Sequence, residues 1–371
     1  MTFKFPYPKE VDKNLFKTDQ TGLPFYGLPK DVKFCSNCVI SNQRPSSAIE
    51  FKNDGVSNKE VINFDADNLC DACKVKEIKQ SIDWKERERE LRDLCDRHRK
   101  NDGSYDCLIP GSGGKDSAYT AHILKYKYGM NPLTVTWPPI LYTDYGYRNF
   151  KNWLGYGKFE NISAKRDEFT MRYLTKKSIE NLFHPFQTFI LGQKNFAAKI
   201  ALKYKIPLVF FGENEAEHGN PLADNFNSLR DKSYYTYKSL DKIYLGGIKF
   251  KELLKTIKKK HLEDFLPPSI DSFKNFPIQV HYLGYYLKWI PQETYYYSVK
   301  NCGFRPRPFR TRGTYSKYNS IDDKIDDLHY YTTFIKFGIG RATYDVSQEI
   351  RNEHLTLDEG KNLIKKYDGE Y

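Results

Sequence analysis

From residue 105 onward, short apolar runs alternate with longer segments whose apolar positions recur every three to four residues. The runs at 106–109, 132–137, 159–162 and 207–211 read as strands, and 116–128, 147–154, 167–183 and 189–204 as helices. In the last helix Phe196, Ala197, Ile200 and Ala201 share one face, a core stripe. This alternation predicts an α/β fold built on a doubly wound parallel sheet. Upstream, 82–99 is a charged helix with few apolar positions, expected to lie on the sheet domain as a connector, while 49–53 and 61–64 predict the strands of a small hairpin. After Gly212 the chain is polar and irregular to about 245, then helical and aromatic, with helices at 250–260, 347–352 and 357–367 and Thr356 placed to cap the last. The expected organisation is an arm at 1–30, a cysteine module at 31–80, the sheet domain at 81–245 and a helical region at 246–371.

Chemistry enters with the cysteines. Four of the seven form Cys35-x-x-Cys38 and Cys70-x-x-Cys73, with residues 39–69 between the pairs. In a reducing compartment this spacing reads as a four-cysteine metal site, most simply a structural zinc, with an iron–sulfur cluster as the rival occupant. Cys95, Cys107 and Cys302 have no motif around them that marks a nucleophile. No stretch approaches 18 apolar residues and no apolar leader follows Met1, so a cytoplasmic protein with no membrane partner is expected. The net charge of +12 fits nucleic acid, a membrane surface or small polyanions and does not discriminate among them.

The segment Gly111-Ser-Gly-Gly-Lys-Asp-Ser117 follows the first predicted strand and opens the first helix. Glycines there let backbone N–H groups close on an anion, and the positive end of the helix faces it. Ser112 and Ser117 offer hydroxyls to phosphate. Lys115 either neutralises charge in a transition state or points to solvent. Asp116 is either a ligand for Mg2+ or a helix cap. In a doubly wound sheet the loops after neighbouring strands converge on the same ligand. Thr136, Trp137 and the carboxylate-rich Gly212-Glu213-Asn214-x-x-Glu217 therefore join the expected ATP site.

The loop resembles the PP-loop of the ATP pyrophosphatase superfamily, and several ordered motifs narrow the likeness. Cys35-Ser-Asn-Cys38 with Arg44-Pro45, Cys70-Asp-Ala-Cys73, Pro110–Ser117, Thr136-Trp137, Tyr142-Thr-Asp144-x-Gly146-x-Arg148, Gly212–Glu217 and Phe337-Gly338-x-Gly-Arg341 resemble the N-acetyl sugar amidotransferases of surface-polysaccharide biosynthesis. The resemblance implies that ATP adenylates the acetamido oxygen of a nucleotide-linked N-acetyl sugar and that ammonia displaces AMP, leaving an acetamidino group. It implies Mg2+ with the ATP and Zn2+ at the cysteines. Ammonia would come from a separate glutaminase and a barrel-type partner. Arg148 and Arg341 would grip anionic groups beside Lys115 and Asp116. His184 and Gln193 precede the fourth strand and either line the pocket or pack and cap, with the packed or capping role favoured. The alternative is a PP-loop tRNA-modifying enzyme that adenylates a base carbonyl, although no nucleic-acid partner is expected.

Overall fold

A computed structural model describes residues 25–212, 222 and 226–370. Strands β1 (Cys107–Pro110), β2 (Pro132–Thr136), β3 (Asn161–Ser163) and β4 (Leu208–Phe211) lie where the apolar runs predict them. A two-residue ribbon, β5 (Tyr244–Leu245) and β6 (Ile248–Lys249), precedes an additional strand, β7 (Gln279–Tyr282). The main sheet has the order β3-β2-β1-β4-β7 and is parallel throughout. Its direction of winding reverses between β1 and β4, so the loops leaving these two strands part there and open a crevice.

Successive strand residues face opposite layers. Cys107, Ile109, Leu208 and Phe210 pack with Leu91, Ala121, Trp153 and Trp289 on one side. Leu108, Val135, Val209 and Val280 pack with Ala197, Ala198 and Ala201 on the other. Burial on both faces explains why these strands read as continuous apolar runs. The covering helices are α2 (Trp84–His98), α3 (Lys115–Tyr126), α4 (Asp144–Gly157) and α6 (Gln187–Tyr204), and α5 (Glu168–Leu182) packs against α6 and Trp137 in a separate core. Several begin on a side-chain cap: Asp83, Thr143 and Asp167 each accept from first-turn amides. The charged α2 lies on the sheet domain through Leu91, Leu94 and Cys95.

Two local expectations are corrected. The hairpin expected from 49–53 and 61–64 does not form. Phe51 turns into a core with Trp137 and Leu174, within a 3-10 turn at Glu50–Lys52, and Asp54 takes the amides of Val56 and Ser57. Instead, helix α1 (Asp71–Ser81) begins directly after Cys70. The helix expected at 250–260 is two single turns, α7 (Phe250–Leu253) and α8 (Lys259–Leu262). The Thr256 hydroxyl donates to the Leu253 carbonyl, at 3.2 Å, where the helix breaks.

The C-terminal region holds the short α9 (Leu283–Tyr286), then α10 (Pro291–Asn301), α11 (Asp326–Phe337), α12 (Arg341–Arg351) and α13 (Leu357–Tyr367). Thr356 caps α13 in a reciprocal box with Glu359. Val346 and Ile350 of α12 pack against Cys38, Ile40 and Ile62, so the cysteine module rests on the end of the chain. No described helix is long and apolar enough to cross a membrane.

Candidate active site

The loop after β1 is shaped by its glycines. Gly113 has φ +86°, and a Cβ there would sit 2.6 Å from the backbone of Phe150; a Cβ on Gly111 would sit 2.4 Å from Ser117. Neither position accepts a side chain. Helix α3 starts at Lys115 with Gly114 as its N-cap, so Asp116 stands in the first turn rather than at the cap. Helix α10 clamps this start: Ser298 Oγ donates to the Lys115 carbonyl at 2.8 Å, and Thr294 Oγ1 donates to Asp116 Oδ1 at 3.4 Å.

A cavity of about 330 Å3 opens at the sheet's switch point. Gly111, Ser112, Gly114, Asp116 and Ser117 form one wall, and Trp137 and Gly212 lie across it. Thr136 is fully buried at the end of β2, where its hydroxyl accepts from Asn161 at 3.0 Å. Gln193 takes the pocket-lining alternative, and Lys194 and Arg230 also line this cavity. The Arg230 guanidinium lies 5.0 Å from the ring centres of Phe211 and Tyr234. The first turn of α3 and two cations thus surround a space of the size and polarity of a nucleotide. Glu213, Asn214 and Glu217 lie outside the described residues.

A second cavity, of about 400 Å3, meets the first at Asp116. Its walls come from three distant parts of the chain: the loop around Ser46 and Glu50, the turn at His184 between α5 and α6, and the α11–α12 segment with His329, Lys336 and Asp345. Lys115 Nζ donates to both oxygens of Asp116, at 2.7 and 2.8 Å. Lys115 is therefore turned inward, not to solvent, and its ion pair stands where the cavities join. Asp345 accepts from Thr314 at 2.5 Å and Asn319 at 2.9 Å, and burial pushes its carboxyl up against the opposing influence of Arg341.

The two arginines sit elsewhere. Arg148 is exposed on α4, with its guanidinium 5.7 Å from the Tyr145 ring centre, and is not among the residues lining either cavity. Arg341 is 2% exposed and reaches the carbonyls of Asn319 and Ser320 and the face of Tyr330. Asn319, Ser320 and Tyr330 line the second cavity, so Arg341 braces its wall from behind.

The four paired cysteines converge. Their sulfurs lie within 4.8 Å of one another, with Cys35–Cys73 at 3.7 Å and Cys38–Cys70 at 3.8 Å, and all are buried. Among the described residues this is the one such group of potential metal ligands. The Cys70 amide donates to Cys35 Sγ and the Asn37 side chain to Cys73 Sγ, the surroundings of thiolates.

Sequence reasoning missed Glu50, Lys59, Arg230, Asp322, His329 and Lys336. Each is an isolated polar residue with no motif of its own, and its neighbours at the site are far away in the chain.

Comparison with known proteins places a name on one part of this arrangement. Residues 312–371 match the family described as LPS biosynthesis protein WbpG-like, C-terminal domain. The WbpG-like region supplies His329, Lys336 and Asp345 to one wall of the second cavity, Arg341 behind that wall, and Asp322, which accepts from Ser112 of the phosphate loop. An uncharacterized protein of Methanocaldococcus jannaschii is 31% identical over 77 residues, 21% of this chain and 27% of that protein, so the match spans about a quarter of the relative. Solved structures with some likeness include the NH3-dependent NAD synthetase of Campylobacter jejuni (20% identity, 39% of this chain and 64% of that one, TM-score 0.25). Another is the NMN synthetase of Francisella tularensis (12%, 77% and 94%, TM-score 0.31). A third is the U34-tRNA thiolase NcsA of Methanococcus maripaludis with its [4Fe-4S] cluster (12%, 90% and 86%, TM-score 0.35).

Proposed function

We propose that the protein is an ATP-dependent amidotransferase of surface-polysaccharide biosynthesis, acting in the cytoplasm. It would convert the acetamido group of a nucleotide-linked sugar to an acetamidino group. One observation carries this reading: a phosphate cradle at the sheet's switch point and a separate polar cavity meet at the Lys115–Asp116 pair, and the second cavity is walled by the WbpG-like region.

ATP occupies the first cavity, its phosphates on Gly111–Ser117 with Lys194 and Arg230 across from them. The sugar enters the second. Its amide oxygen attacks the α-phosphorus at the junction, and pyrophosphate leaves. Ammonia then adds to the imidate carbon, a proton is lost and AMP departs with the former amide oxygen. Adenylation is needed because an amide oxygen is a poor leaving group. Lys115 stands where negative charge builds during the first step. Mg2+ would screen the phosphates, with Asp116 as a ligand. The ammonia comes from a separate glutaminase through a barrel-type partner.

We assign zinc to the cysteine site. Four thiolates about 2.3 Å from one tetrahedral ion stand about 3.8 Å apart, and the sulfurs of both cross-pairs match this. A cluster places several irons and sulfides between the thiolates and needs them farther apart. With all four ligands from protein, the ion braces the module and leaves no open position for catalysis.

The second reading, a tRNA-modifying enzyme, draws on the net charge of +12. Mass spectrometry with ATP, Mg2+, ammonium and a panel of nucleotide-linked acetamido sugars separates the two. Sugar-dependent AMP with replacement of one sugar oxygen by NH supports the amidotransferase. AMP release stimulated by tRNA alone would replace it.

A further inference from the structure

The second cavity holds more cationic charge than its own acids pair. Three lysines line it, Lys59, Lys115 and Lys336, against Glu50, Asp116 and Asp345. Lys115 is satisfied by Asp116, and Asp345 by Thr314 and Asn319. Glu50 faces His184, with Oε1 and Nε2 3.5 Å apart. Lys59 and Lys336 remain, and no described carboxylate lies within ion-pair distance of either. Lys336 Nζ has the Leu182 carbonyl at 3.3 Å, and Lys59 Nζ lies 5.4 Å from the Tyr26 ring centre. Two like charges are thus held beside one cavity, an arrangement that costs free energy until an anion enters. Burial, then the proximity of Lys59, brings Lys336 down to about 8, although Glu50 opposes this.

Next to them, hydrogen-bonding capacity goes unused. Glu50 Oε2, His184 Nδ1 and His329 Nδ1 are buried and have no hydrogen-bond partner. Glu50 is 8% exposed and His184 is 9% exposed, and both line the cavity. The His184 and His329 rings stack with centres 5.1 Å apart, which fixes where these atoms point. Buried polar atoms without partners are costly, so their presence on a cavity wall points to a ligand that completes them.

We propose that Lys59 and Lys336 bind an anionic group of the acceptor, while Glu50 and His184 hydrogen-bond to hydroxyl or amide groups beside it. This rests on the assignment of the second cavity to the acceptor. The acceptor then spans the cavity, with its acidic end at the lysines and its reacting oxygen at Lys115–Asp116. The acidic group is either a carboxylate on the sugar or the diphosphate that links it to the nucleoside.

Calorimetric titration of the zinc-loaded full chain with two probes tests this: UDP-N-acetylglucosaminuronic acid, and UDP-N-acetylglucosamine, which lacks the carboxylate. Lys59→Met and Lys336→Met should each weaken binding of the uronic acid probe roughly tenfold or more, while Lys336→Arg stays within about threefold. Binding of a non-hydrolysable ATP analogue should not change in any variant. A large effect on the uronic acid probe alone assigns the carboxylate; an equal effect on both probes assigns the diphosphate. Methionine variants that bind both probes like the parent, or a parent that binds neither at millimolar concentration, would overturn the proposal. The readout is binding, so lysine-dependent affinity without acceptor-dependent AMP release would leave this site standing and refute the reaction.

Discussion

The Ser112 hydroxyl donates to Oδ2 of Asp322 across 2.7 Å, tying the phosphate loop to the WbpG-like region. Burial pushes the Asp322 carboxyl up, against the Ser112 hydrogen bond and the more distant Arg341 and Arg307. The cradle is therefore held by a residue from the far end of the chain. Asp322→Ala should weaken ATP-analogue binding by about tenfold, as expected for losing a hydrogen bond of about 1–2 kcal/mol. Asp322→Asn, which still accepts, should retain most of it. Equal affinities in a fluorescence titration of the two variants would argue against the tie.

Asp116 is the residue at which the two cavities join. Asp116→Ala should abolish AMP formation while the far-UV circular dichroism stays that of the parent, since the side chain is one-third exposed and its helix is held by α10. Retained turnover in a quenched AMP assay would remove it from the chemistry.

Gly113 adopts φ +86° against the Phe150 backbone. Gly113→Ala should raise the ATP Kd more than tenfold, because both strain and the clash distort the cradle, at a stability cost of about 1–3 kcal/mol. Nucleotide titration alongside thermal melting checks both halves.

The cysteine module carries the Ser46–Glu50 wall of the second cavity and packs on α12. Cys70→Ser should lose the metal and lower Tm by on the order of 10 °C, a penalty of several kcal/mol in a chain of this size. Acceptor binding should weaken before ATP binding does. Unchanged zinc by elemental analysis would contradict the site.

Glu50 supplies a pH signature. Burial opposes its ionisation, but His184, with Lys194 and Lys59 beyond, outweighs that and holds the carboxyl at about 2. A depressed carboxylate contributes stability that is complete above its ordinary value near 4.5 and is lost as pH falls toward 2. Glu50→Gln should therefore melt lower than the parent at pH 6 but lose less Tm between pH 4.5 and 2.5. Parallel Tm profiles would show that the carboxylate carries no such linkage.

The strands β1, β2 and β4 and the helices between them were legible in the chain because both faces of the sheet are buried there, and double burial writes itself as unbroken apolar runs. The glycine loop and the two Cys-x-x-Cys pairs were legible for a related reason: each packs its chemistry into a few consecutive residues. Strand β7, in the region expected to be helical, was not. Gln279-Val-His-Tyr282 pairs with β4 and, on its outer side, only with a short bridge at Leu229, and its short mixed pattern is ambiguous. Nor could the chain show that Cys70 opens a helix, or that residues 49–53 leave strand geometry so that Phe51 reaches a distant core. What tertiary structure alone decided is the second cavity. Glu50, His184 and the α11 pair His329 and Lys336 come from three separate segments, and each is unremarkable in its local sequence. Their burial beside one another, with polar atoms left unpaired and two ammonium groups uncompensated, exists only once the cysteine module, the α5–α6 turn and the WbpG-like helices have closed on the same space.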